Sequence, residues 1–147
     1  MADCQIFCGK IDCNICLPKS FANHPKSLFW SKNNSIKPYQ ILQYSNILFE
    51  FICDKCNHYF NSVPCDISSK NRWCPYCSSR KLCKDENCKV CFEKSFASHE
   101  KSKYWDYTLN KEIIPRNVFK SARNKYFFNC VKCNHKFDTS LNKISYH

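Results

Sequence analysis

A tandem of small α+β modules, braced by metal ligands instead of one large core, is the fold class this sequence predicts. Three observations predict it. The 147 residues include 14 cysteines. Those cysteines recur, with their flanking residues, at a near-constant offset. Half of such a chain buries only a modest apolar core, and modules of that size commonly need disulfides or metal as staples.

The repeat fixes the domain organisation. Cys13-Asn-Ile-Cys-Leu-Pro-Lys-Ser-Phe-Ala-Asn-His24 matches Cys88-Lys-Val-Cys-Phe-Glu-Lys-Ser-Phe-Ala-Ser-His99 at an offset of 75, and Cys8 and Trp30 match Cys83 and Trp105 at the same offset. The loop after the Trp is two residues longer in the second copy, so Pro38, Cys53, Cys56, His58 and Phe60 match Pro115, Cys130, Cys133, His135 and Phe137 at an offset of 77. The first module is expected over 1–77 and the second over 78–147. The partners of Cys74 and Cys77 would fall at 151 and 154, beyond His147, so the second module is expected to stop before its last ligand pair.

Within each module the elements are short. Ile47–Ile52 and Lys125–Asn129 read as strands running into a Cys pair, with Tyr59–Val63 returning as the second strand of a hairpin. Ser20–Trp30 and Ser95–Trp105 read as Ser-capped helical turns that end on an anchoring Trp.

The most specific motif is Cys53-x2-Cys56 followed, after 17 residues, by Cys74-x2-Cys77. That gap falls inside the range of about 15–20 residues typical of structural zinc sites. Zinc takes four soft ligands in a tetrahedron, and a C-x2-C turn supplies two of them. The turn calls for a residue that tolerates the left-handed region just after the second Cys. Asn57 and Asn134 stand there, the best choices short of glycine. His58 and His135 are read as turn residues supporting sulfur.

A second constellation, Cys8-x4-Cys13-x2-Cys16, returns as Cys83-x4-Cys88-x2-Cys91. Each triplet is one ligand short, and in both copies a His follows eight residues later, His24 and His99. Two Cys3His zinc sites are therefore expected. Cys4 is set aside as a ligand because its counterpart is Ser79. The same spacing occurs in [2Fe–2S] ferredoxins, which would recruit a distant Cys such as Cys53 or Cys130. Cys130 and Cys133 form an incomplete metal site, with His135 and His147 as substitutes of strained or approximate placement. Cys65 is an unassigned thiol. About three structural zinc ions per chain are expected.

At this point the residues resemble a known family. Trp30…Pro38…Phe51-x-Cys53-x2-Cys56-Asn-His58-x-Phe60…Cys74-Pro-Tyr-Cys77 resembles the zinc-ribbon, treble-clef-like repeat of bacteria, plants and large DNA viruses. Residues 81–99 resemble its tandem form in giant viruses of amoebae. The resemblance implies a treble-clef or zinc-ribbon fold around Cys53, Cys56, Cys74 and Cys77. Relatives often carry Gly where Asn57 and Asn134 stand.

Function is bounded by what the sequence holds. Fully ligated zinc leaves no open position for water, and there is no glycine-rich phosphate loop and no H-E-x-x-H motif, so a non-enzymatic protein is expected. The formal net charge is +11. Thiolate–zinc sites lower it but leave the chain basic. Basic residues interleave with aromatics, notably Lys101, Lys103, Arg116, Lys120, Arg123 and Lys125 in the second copy, which suits phosphate contact plus base stacking. Nucleic acid is the first expected partner. A protein complex, with the chain as adaptor or virion component, is the second, and iron–sulfur electron transfer the third. No signal-peptide-like start and no membrane-length apolar run are present, so an intracellular location is expected, in cytoplasm, nucleus, viral factory or virion, with no membrane and no small-molecule substrate.

Overall fold

The computed structural model describes residues 4–146, which divide between Ser78 and Ser79 into two compact units. Each is a small α+β assembly built on one two-stranded antiparallel hairpin. Among the described residues no helix is long and apolar enough to cross a membrane.

In the first unit β1 (Phe49–Ile52) pairs with β2 (Tyr59–Ser62), placing Phe51 opposite Phe60. The alternation of β1 turns Phe49 and Phe51 inward. Upstream, Ser20–Trp30 forms two 3-10 turns, Phe21–Asn23 and Pro25–Phe29, instead of one Ser-capped helix. Ser95–Trp105 breaks in the same way, into Phe96–Ser98 and Glu100–Tyr104, with Glu100 where Pro25 stands, so proline is not the cause. His24 and His99 are both extended (ψ 137° and 138°), and each side chain accepts the N–H two residues on. The expected cap is also displaced. Ser20 donates its hydroxyl to the Leu17 carbonyl, and His24 caps the next turn. Isolated bridges Ser20↔Leu42 and Trp30↔Phe51 tie this segment to the hairpin.

After β2 the chain enters α1 (Pro64–Lys70), an element absent from the expectations above. Pro64 at the first helical position and Asn71 in left-handed conformation at the end (φ 49°) bound it, the usual placement for residues of these types. Its Ile67 joins Phe21, Phe51 and Phe60 in the core, with Trp30 and Trp73 packed against them. The rings meet largely edge to face, as Trp30–Phe51 at 5.3 Å and 87°, the geometry the aromatic quadrupole favours.

The second unit repeats this plan. Its hairpin pairs β3 (Lys125–Asn129) with β4 (Lys136–Ser140), and α3 (Leu141–Tyr146) follows in the place of α1. The bridges recur as Ser95↔Phe119 and Trp105↔Phe128. One difference is local. Lys89–Lys94 forms α2, whereas the equivalent stretch of unit one manages only the 3-10 turn Leu17–Lys19. Pro18 there removes a helical donor, and Glu93 restores it.

A side-chain clamp closes each unit. Asn34 donates to the Glu50 carbonyl at 2.8 Å and accepts from its N–H at 2.9 Å. Asn110 does the same to Phe127 at 2.8 and 2.9 Å. The amide thus stands in for a missing strand neighbour along the hairpin edge. Asn34→Ala or Asn110→Ala strands one N–H and one carbonyl, so each substitution is expected to cost about 1–3 kcal/mol. Denaturant unfolding of the metal-loaded protein measures it, and an unchanged midpoint contradicts it.

Candidate metal centres

All fourteen cysteines are free thiols, and eleven of them gather into three clusters. The first to be built from the chain is the turn at the hairpin tip. Cys53 N–H donates to the His58 carbonyl at 2.9 Å and Asn57 N–H to the Cys53 carbonyl at 3.0 Å. Asn57 takes φ 58°, as the pattern requires. The turn aims the Lys55 N–H at Cys53 Sγ, 3.4 Å away. Cys74 and Cys77 arrive from beyond α1 and complete the set. Cys53 and Cys77 sulfurs lie 3.6 Å apart, Cys56 and Cys74 sulfurs 3.5 Å. All four lie within 4.8 Å of one another.

The donor set fits a tetrahedral metal. Sulfurs 2.3 Å from a central zinc stand about 3.8 Å apart, within a few tenths of an ångström of those distances. Electrostatics agree. Burial pushes the Cys53 thiol up, but the N–H groups of Cys56 and Lys55 outweigh it and the net shift is downward. Burial holds Cys74 well above the usual thiol range and raises Cys77 to about 11. Without a cation this cluster resists full ionisation. His58 faces Cys56 Sγ with Nδ1 at 3.0 Å and stacks on Tyr76 at 4.3 Å.

In the second cluster the structure departs from the Cys3His expectation. Cys8, Cys13 and Cys16 come together, and Cys4 stands with them. Its sulfur is 3.2 Å from that of Cys16, which also takes the Cys8 N–H at 3.3 Å. His24 is elsewhere. Its Nδ1 accepts the Lys26 N–H at 3.1 Å, and its ring lies flat on Phe21, 5.3 Å away and tilted 8°. A local cap and an aromatic stack hold the imidazole in place of a metal. A fourth sulfur from Cys53, as the ferredoxin reading needs, is likewise not drawn in, since Cys53 belongs to its own set.

In the second unit Cys83, Cys88 and Cys91 converge, and the Cys83 N–H meets Cys91 Sγ at 3.3 Å as its counterpart does in unit one. His99 repeats His24, accepting from Lys101 at 3.2 Å and stacking on Phe96 at 5.3 Å. Arg116 is a further correction. Expected on a phosphate-facing surface, it is 9% exposed, and its Nη2 donates to the Asp85 carbonyl at 2.8 Å and to Cys83 Sγ at 3.6 Å.

Cys130 and Cys133 form the same turn as Cys53 and Cys56, with Asn134 at φ 56°. The Lys132 and Cys133 N–H groups pull the Cys130 thiol below its ordinary value. Among the described residues no third metal-binding side chain gathers with this pair. His135 is exposed, and His147 lies outside the described residues. Of the other expected nucleic-acid contacts, Lys101, Lys103, Arg123 and Lys125 are exposed and Lys120 half-buried. Lys125 pairs with Asp138 at 3.5 Å, and Lys103 lies over the Tyr104 ring at 5.1 Å.

The two ligand readings of the amino-terminal cluster separate by mutation. Cys4→Ser is expected to cost the chain one tightly bound metal, while His24→Ala keeps the metal count. Metal analysis after exhaustive dialysis distinguishes them, and the opposite pattern restores the Cys3His site.

Comparison with known proteins agrees with this geometry. Residues 28–80 match the family described as "Probable Treble clef zinc finger domain". An uncharacterized protein of Acanthamoeba polyphaga mimivirus is 41% identical over 145 residues, taking in 97% of this chain and 35% of that relative. The chain therefore spans about a third of the length of the curated relative it matches. The span of the match, residues 28–80, holds β1, β2, α1 and the Cys53–Cys77 cluster, and it is over these elements that the chain is similar to the probable treble clef zinc finger family.

Proposed function

We propose that this chain is a non-enzymatic zinc protein whose thiolate clusters brace two modules that present a basic, aromatic surface to nucleic acid. The observation that carries the metal half is the convergence of Cys53, Cys56, Cys74 and Cys77 at sulfur spacings near those of a zinc tetrahedron. Four protein sulfurs leave zinc no open coordination position, which favours a structural over a catalytic metal.

Support for the nucleic-acid half is the formal net charge of +11 together with exposed Lys101, Lys103 and Arg123. Exposed Tyr107 and Tyr146 offer faces for base stacking in the same unit. No recognition helix of useful length is present in the described residues, so contact with phosphate dominates and sequence selectivity is weak. The alternative reading, a protein–protein adaptor or virion component inside the infected cell, draws support from an exposed apolar groove on the second unit.

Binding of short single- and double-stranded oligonucleotides is expected to weaken steeply as salt rises, because neutralised phosphates release counterions. Reversing Lys103, Lys120 and Arg123 to Glu is expected to weaken all sequences alike, while Arg116→Gln acts on the metal cluster instead. Absence of binding to any oligonucleotide at low salt overturns the nucleic-acid reading and leaves the adaptor reading standing.

A further inference from the structure

The internal repeat sets a groove at the same point of each unit, beside the isolated bridges Ser20↔Leu42 and Ser95↔Phe119. In unit one it encloses about 590 Å³ and is walled chiefly by Phe7, Pro18, Leu42, Tyr44 and Ile47. Every residue lining it precedes β1, so the segment that closes the Cys53–Cys77 set takes no part in it. In unit two the groove is smaller, about 310 Å³, and its chemistry has changed. Glu93 stands for Pro18, Lys120 for Gln43 and Ser121 for Tyr44, while Lys94 repeats Lys19 and Phe119 replaces Leu42. Tyr146, 70% exposed, joins the rim from the end of α3.

The two lysines are set against each other. Lys120 donates its N–H to the Lys94 carbonyl at 3.1 Å, one step from the Ser95↔Phe119 bridge, and both line the groove. In unit one the same backbone bond joins Gln43 to Lys19 at 3.0 Å, a neutral residue opposite a cation. Like charges directly opposite one another on paired strands are destabilising. Glu93 on the same wall offsets one of them. Among the described residues Lys120 makes no ion pair. Two cations on one wall with the rings of Phe119 and Tyr146 beside them suit an anion that carries a flat aromatic group. An unpaired nucleotide is such a ligand, and proteins hold single strands by this combination of phosphate contact and ring stacking. The groove volume lies at the lower end of the range of small-molecule sites.

We propose that the groove of unit two takes one nucleotide of a single-stranded nucleic acid, its phosphate between Lys94 and Lys120 and its base against Tyr146 and Phe119. The proposal rests on the nucleic-acid reading above and narrows it to one site. A duplex, whose bases are already stacked and paired, meets the lysines only. Every base has a face to stack, so sequence preference at the groove is weak.

Anisotropy of a short labelled oligothymidylate, and of a duplex of equal length, titrated with the full zinc-loaded chain over a series of salt concentrations, tests this. Lys120→Gln installs the residue with which unit one already folds. On the single strand it is expected to reduce the slope of log affinity against log salt by about 0.7, the share of one phosphate contact. Tyr146→Ala, at an exposed position, is expected to weaken the single strand about tenfold, the scale of one base stack, and to leave the duplex unchanged. Glu93→Gln is expected to tighten the single strand by removing a carboxylate from the groove. Lys32→Gln, at an exposed position of unit one, removes the same charge outside the groove and is expected to act less than Lys120→Gln. Binding indifferent to Lys120→Gln and Tyr146→Ala, an equal loss on the duplex with Tyr146→Ala, or an equal response to Lys32→Gln overturns the groove and leaves the nucleic-acid reading standing. Failure of both oligonucleotides to bind the unaltered chain at low salt overturns the two together.

Discussion

Four sulfurs within 4.8 Å of one another repel as thiolates and pack poorly as thiols, and two such sets, Cys4–Cys16 and Cys53–Cys77, fitted to hold a cation, are the constraint around which the first unit is arranged; in the second the sulfurs of Cys83, Cys88 and Cys91 converge. Burial raises Cys74 and Cys77 at the same time as turn N–H groups lower Cys53. The polypeptide around it is otherwise slight. Its hairpins have two strands each and its longest described helix has seven residues. A two-stranded hairpin is marginal by itself, and metal binding to such modules contributes on the order of 10 kcal/mol to folding.

Duplication shows which features serve that constraint. The C-x2-C-Asn turn, the Asn clamp on the hairpin, the Trp bridge and the Phe–His stack occur in both units with nearly equal distances. What differs is how each unit finishes. Unit one fills its aromatic slot with Trp73 and its fourth amino-terminal sulfur position with Cys4. Unit two places Arg116 beside Cys83. A scaffold thus repeats while its edges diversify, which is where binding partners would be chosen.

Much of this was legible in the sequence because the cysteine spacing and the repeat offset encode local geometry directly. The left-handed Asn57 and Asn134, the β3 boundaries and the Cys53–Cys77 set all follow from them. The ligand role given to His24 and His99 arose from recurrence, yet recurrence marks any shared constraint. Here the constraint is packing, and Phe21 three residues before His24 was the available signal. Cys4 was passed over for the converse reason, since a ligand used in one copy leaves no repeat. The helix α1 hid behind two serines and a β-branched residue of modest helix propensity, although Pro64 and Asn71 mark its ends. Arg116 was counted as surface charge because a tally cannot see a guanidinium folded back onto thiols.

Circular dichroism and amide proton spectra of the full chain, recorded before and after complete removal of metal by a strong chelator under reducing conditions, test the central claim most directly. The account predicts that both hairpins and the shift dispersion of Phe51, Phe60, Phe128 and Phe137 are lost together with the metal, and return when zinc is restored. A metal-free chain that keeps its native spectra would show that aromatic packing alone specifies the fold, and would contradict it.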